Sequence, residues 1–122
     1  MAIFINKYNV KHPLNLLFTR SNDNKKINST NYNMSGDNPY LNLRNALKKN
    51  YSSDWEYTER DRLLFNENEK DTLWESYENG QVMLEIKREE YDINLYVHYY
   101  TEKNGKKYSE ERRPQNTNFS DF

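Results

Sequence analysis

The chain has 122 residues, with eighteen Lys and Arg set against nineteen Asp and Glu, for a formal net charge of -1. That length holds one domain (1–122) without a second core, the near-zero charge gives no strong field for a polyanion, and the absence of cysteine excludes disulfides and thiolate metal sites. Hydrophobic residues reach only 34% and mean hydropathy is -1.26, yet aromatics reach 15%, mostly the eleven tyrosines.

Each buried ring removes a large area from water, so the expectation is a folded chain with a thin core. A partner subunit or ligand often completes such a core, which makes a homo-oligomer one expectation. The apolar N-terminal stretch 1–6 is too brief for a signal peptide and no long apolar run follows, so the expected location is cytoplasmic. Lys, Asn and Tyr all use AT-rich codons, so much of the Asn excess reads as genome bias.

Two short apolar patches, Ile3-Phe4-Ile5 and Leu14-Leu16-Leu17-Phe18, each suit a strand, with Pro13 breaking the run between them. Residues 21–37 are mostly Asn, Ser, Lys and Asp and read as a long polar loop. A helix over 39–51 follows. Asn38 suits the N-cap, Pro39 the first helical position, and Tyr40, Leu43, Ala46, Leu47 and Tyr51 recur at helical spacing, with Lys48 and Lys49 near the far end. Ser53 with Glu56 forms a capping-box pattern, so a second short helix is expected there.

The C-terminal half carries the strongest pattern. Asn79-Gly80 and Asn104-Gly105 each suit a two-residue type I′ turn. Val82, Leu84 and Ile86 alternate with Met83, Glu85 and Lys87, and Ile93, Leu95, Val97 and Tyr99 alternate with Asn94, Tyr96, His98 and Tyr100. The expected fold class is therefore α+β: an antiparallel β-meander of four or more strands, near 71–78, 81–88, 92–102 and 106–113, with one main helix packed on one face. A helix over 67–79 ending at Gly80 is the rival to the first of these strands. Residues 114–122 read as a loose tail.

Asp71 followed by Glu85-Ile86-Lys87 resembles the metal-binding motif of the PD-(D/E)xK nuclease family, and the resemblance implies two carboxylates on a divalent cation with the Lys supporting the attacking water. The chain departs from that family at Lys70, where Pro is preferred, and after Lys87, where a strand replaces a helix. An Asn79-Gly80 hairpin also sets Asp71 opposite Arg88, on the face away from Glu85. Glu67, Glu69, Asp71, Glu75 and Glu78 approach the spacing of a calcium loop, but Thr72 stands where Gly is needed, so this stretch reads as a solvated acidic segment. Of the two histidines, His12 and His98, the second shares a strand face with Tyr96 and Tyr100, and with Glu111 across the second expected hairpin. No nucleophile signature, phosphate loop or zinc spacing accompanies it, so no cofactor and no enzymatic activity are expected.

Binding is better supported. The second hairpin would set Tyr96, His98 and Tyr100 beside Lys107 and Arg113 on one wet face, a composition typical of interaction hot spots. The expected function is a small non-enzymatic binding or inhibitor protein that docks on a protein partner, of the type that phages and mobile elements direct at host defence enzymes. Single-stranded nucleic acid is the second expectation, since sheet aromatics beside cations stack bases. The Phe119-Ser120-Asp121-Phe122 tail faintly resembles the tails of single-stranded DNA-binding proteins. A metal-dependent nuclease is third, and a membrane role has no signal to stand on.

Overall fold

Asn38 starts the main helix as its side chain allows. It accepts a hydrogen bond from the Leu41 N–H at 3.1 Å, and Pro39 opens α1 (Pro39–Asn50) where its missing donor is not needed. A computed structural model of the chain describes residues 1–8, 10, 25–27 and 38–114, the last three-residue stretch before α1 as backbone only. Its other elements are β1 (Ile3–Lys7), β2 (Lys25–Ile27), β3 (Ser53–Trp55), α2 (Glu59–Asn66), β4 (Thr72–Tyr77), β5 (Val82–Glu89), β6 (Asp92–Tyr99) and α3 (Glu102–Arg112). The strands form one sheet in the order β2-β1-β6-β5-β4-β3. The strand expected at 14–18, the rest of the 21–37 loop around β2, and the tail beyond Pro114 lie outside the described residues.

The class is α+β, with β3 to β6 antiparallel throughout. β1 makes the sheet mixed: it runs parallel to β6, Ile3 opposite Leu95 and Ile5 opposite Val97, and antiparallel to β2. Register across β4 and β5 follows the Asn79-Gly80 turn, with Thr72 opposite Lys87, Trp74 opposite Glu85 and Tyr77 opposite Val82. The turn is wider than the expected two residues. Glu78, Asn79 and Gly80 all have positive φ (51°, 55° and 86°), and residues 78–81 together connect the strands. Residues 67–79 are thus not a helix.

Two expectations are corrected. Ser53 starts no helix, because Asp54 is held in extended β3 as the acceptor for Ser76 Oγ at 2.7 Å and for the N–H groups of Asn79 and Gly80 at 3.1 and 2.9 Å. The helix begins after Thr58, whose Oγ1 accepts from Asp61 N–H at 3.1 Å while Asp61 Oδ2 accepts from Thr58 N–H at 3.3 Å. The strand expected at 106–113 is instead α3, opened by Thr101, whose hydroxyl accepts from Asn104 N–H at 3.3 Å. Asn104-Gly105 therefore makes no hairpin. Gly105 lies where α3 meets the 78–81 turn backbone to backbone, and a Cβ there would stand 2.6 Å from both Gly80 C and O.

The core lies between α1 and one face of the sheet. Ile3, Ile5, Val82, Leu84, Leu95, Val97 and Tyr99 pack with Leu43, Leu47, Tyr51 and Phe65, most of them fully buried. Alternation along β5 and β6 sends the remaining side chains to the opposite face, which α3 covers at the end nearest the turn. Among the described residues no helix is long and apolar enough to cross a membrane.

Gly→Ala inside a helix ordinarily stabilises by up to about 1 kcal/mol. At Gly105 the sign should reverse, because backbone rather than a yielding side chain opposes the new Cβ. Gly105→Ala is expected to cost about 1–3 kcal/mol, read as a lower urea midpoint with an unchanged slope. A stabilised variant would contradict the contact.

Candidate functional site

The face opposite α1 is built around His98. Its Nε2 lies 3.0 Å from Glu85 Oε1, and its Nδ1 lies 3.1 Å from the Tyr8 hydroxyl and 3.4 Å from Asn6 Nδ2. A carboxylate on one side and two donors on the other suit a single neutral tautomer: Nε2–H donates to Glu85, and Nδ1 accepts from Tyr8 and Asn6. The imidazole is itself flanked by rings. Tyr96 and Tyr100 stack nearly parallel to it at 6.1 and 5.8 Å between centroids, Trp74 tilts over it at 5.5 Å, and Tyr8 stacks on Tyr100 at 4.9 Å. Phe4 extends the row by stacking on Tyr96 at 4.9 Å. Parallel pairing puts Phe4 directly opposite Tyr96 and Asn6 opposite His98, so β1 supplies half the surface.

α3 closes the turn end of this face. The Arg112 guanidinium lies 4.0 Å from the Trp74 ring centre and 4.6 Å from that of Tyr108, and donates to the Tyr100 hydroxyl at 2.9 Å. Ser109 shares a 2.8 Å hydrogen bond with Ser76 and accepts one from Trp55 Nε1 at 3.0 Å. Burial raises the Tyr100 phenol above its ordinary pKa, with Arg112 opposing; burial and Tyr100 raise Tyr8. Tyr96 is raised by burial and by its hydrogen bond to Glu89, which is correspondingly lowered.

Tyr96, His98 and Tyr100 share this face as the alternation implied, but it is not the wet face expected of them. His98 and Tyr100 are only 6% and 5% exposed, because β1 and α3 flank them where a solvated hairpin was expected. Lys107 on α3 and Arg113 just past its end are exposed and do not line the row; Arg112 takes the place by Tyr100 that Arg113 would hold on a strand. Glu85, not Glu111, partners His98, since β5 is the neighbouring strand. Glu85 was within reach of the sequence, as the alternation of 82–87 already put it opposite Val82 and Leu84. Tyr8 and Trp74 carried no such signal. The exposed remainder of the surface is Phe4, Tyr8, Tyr96 and Lys87, with the Lys87 ammonium 5.9 Å from the Tyr96 ring centre.

Asp71 lies opposite Arg88, its carbonyl accepting from the Arg88 N–H at 2.9 Å, so it and Glu85 project from opposite faces of the sheet. β6 follows β5 where the nuclease fold places a helix. The acidic stretch is only partly solvated: Glu67, Glu69 and Asp71 are exposed, but Glu75 is completely buried. Glu75 accepts from the Tyr77 and Tyr40 hydroxyls at 2.9 and 3.1 Å, and Arg44 Nε stands 3.1 Å away at ion-pair distance. Arg44 in turn pairs with Glu56, as does Lys48. Among the described residues no cluster of three or more His, Asp or Glu is arranged to hold a metal ion. Compared with family models, with curated proteins and with solved structures, the chain matches none.

Burial raises the Glu75 carboxyl above its ordinary 4.5, with Arg44, Tyr77 and Tyr40 opposing the rise. The folded state therefore holds this proton to higher pH than the unfolded chain, and stability present at low pH is lost as pH rises through the raised value. Glu75→Gln should remove that component. The stability of the parent relative to the variant is expected to fall as pH climbs above the ordinary 4.5 and through the raised value, measured by urea unfolding at several pH values. Parallel pH profiles would refute it.

Proposed function

We propose that this domain is a non-enzymatic binding protein, an inhibitor-type module that docks its aromatic sheet face on a protein partner in the cytoplasm. The row Phe4–Tyr96–His98–Tyr100–Tyr8 carries the reading. Its inner members are held rigid by Glu85, Asn6 and Arg112, while Phe4, Tyr8 and Tyr96 keep exposed area to lose. Rigid aromatics sacrifice little side-chain entropy on docking, and desolvating them fully is what makes hot spots. Charge on the rim is mixed, Lys87 against Glu85 and Glu89, which suits a protein surface better than a polyphosphate. Such a module fits the phage or mobile-element type of host-directed inhibitor.

The near-parallel orientation of the rings supports a second reading, single-stranded nucleic acid bound along the row. Salt separates the two: contacts to several phosphates weaken steeply as salt rises, while an aromatic protein interface changes little. The test begins with a partner recovered from the native host on the tagged parent, then titrated against purified variants by calorimetry. Phe4→Ala and Tyr96→Ala are expected to stay folded yet each lose about 2 kcal/mol or more of binding, whereas Leu95→Ala should chiefly unfold. Parent-like affinity in both surface variants would remove this face from the function.

A further inference from the structure

The outer edge of β4 is covered for only part of its length. β3 pairs with it at Tyr77 and Ser76 and then diverges, so Thr72 to Glu75 have no strand beyond them among the described residues. The hydrogen bond from Arg88 N–H to Asp71 C=O sets the phase of the β4–β5 ladder: residues 71, 73 and 75 turn their backbone groups toward β5. Thr72 and Trp74 therefore direct an N–H and a C=O each away from the sheet, in the phase by which Ser76 already meets β3. Thr72 and Trp74 line a cleft of about 510 Å³ between α2 and the end of α3.

The walls of this cleft have a definite chemistry. Tyr57, Leu64 and Trp74 supply partly exposed apolar surface. Arg60 from α2 and Arg113 just past α3 add two cations, with Arg112 committed to Trp74 and Lys70 paired with Asp61. The facing carboxylates are Asp61 and Glu111, and Asp61 is already taken by the Thr58 N–H and by Lys70 at 3.4 Å. A chain of net charge -1 thus gathers an excess of cations around open backbone groups. A second copy is a poor occupant, since its own Arg60 and Arg113 would face the first copy's cations.

We propose that an extended, acidic segment of a partner protein docks here as an added strand on the Thr72–Trp74 edge. Backbone pairing to Thr72 and Trp74 supplies the affinity of strand addition, and acidic side chains meet Arg60 and Arg113. This surface lies at the sheet's edge and meets the aromatic face only through Trp74 and Arg112, while Phe4, Tyr8 and Tyr96 take no part in it, so variants of those three leave it intact.

The probes are two short capped peptides, one alternating Val with Glu and one alternating Val with Lys, titrated into ¹⁵N-labelled protein. The Val-Glu peptide is expected to shift the Thr72 and Trp74 amide resonances and slow their hydrogen exchange, while the Val-Lys peptide leaves them unchanged. Arg60→Glu combined with Arg113→Glu should weaken the Val-Glu peptide by about tenfold or more. Thr72→Pro, at the first residue of an open edge where proline is tolerated, should abolish binding by removing a donor. The charge-reversed variant decides the matter if Thr72→Pro fails to fold. Equal binding of both peptides, shifts confined to Phe4 and Tyr96, or protection of the two amides by self-association without peptide would overturn the proposal.

Discussion

Gly105 approaches Gly80 so closely that an added Cβ on Gly80 would stand 2.0 Å from the Gly105 carbonyl oxygen, and the placement of the whole third layer follows from that approach. A helix nearly devoid of apolar side chains has little hydrophobic reason to lie on a sheet. α3 does so because two backbones meet without side chains between them, which brings Ser109 into the Ser76–Trp55 network and swings Arg112 over Trp74. The turn it rests on is held by Asp54, which accepts from two consecutive backbone N–H groups there. Tyr100 and the inner end of the aromatic row are buried as a result.

The same economy explains how a chain of such low hydropathy folds. Many of its buried positions are polar or amphipathic, and each has its partners close by. Tyr77 and Tyr40 bury their rings and give their hydroxyls to Glu75; Tyr51 and Tyr99 meet edge-on with hydroxyls 3.3 Å apart; His98 is satisfied on both nitrogens. Tyrosine supplies apolar area and a hydrogen-bonding tip at once, so a tyrosine-rich core tolerates a buried carboxylate that an aliphatic one would not. The cost is that burial is conditional. Removing the Tyr77 or Tyr40 hydroxyl takes a donor from Glu75 where water does not reach.

Legibility in the sequence followed the strength of local signals. Asn38-Pro39 with leucines at helical spacing located α1, and Asn79-Gly80 with alternation on either side set the β4–β5 register that puts Asp71 opposite Arg88. The residues 102–113 misled because an Asn-Gly pair is the strongest short turn signal, and a run of polar residues has no period to contradict it. Only the three-dimensional proximity of Gly80 shows why that glycine is needed inside a helix. For the candidate surface, alternation placed Tyr96, His98 and Tyr100 together, but their burial depends on β1 and α3. Ile3-Phe4-Ile5 suggests a strand yet carries no information about its neighbour or direction, so Phe4, Asn6 and Tyr8 could not be assigned to the same face.

The position of β1 has a consequence for how the molecule is made. It lies inside the sheet against β6, and the Ala2 N–H reaches the Asn94 side chain across 92 positions of sequence, with the Met1 ammonium 3.1 Å from Asp92. At a synthesis rate of about 5–20 residues per second, the first strand waits roughly 5–20 s for its partner to leave the ribosome. The hairpin β5–β6, by contrast, closes through a turn of two residues at Glu90 and Tyr91. The β5–β6 pairing thus joins adjacent segments, whereas the β1–β6 pairing closes a loop of about ninety residues, the larger entropic cost of the two. Until β6 is synthesised, β2 is the one strand partner of Ile3-Phe4-Ile5 that has already been made.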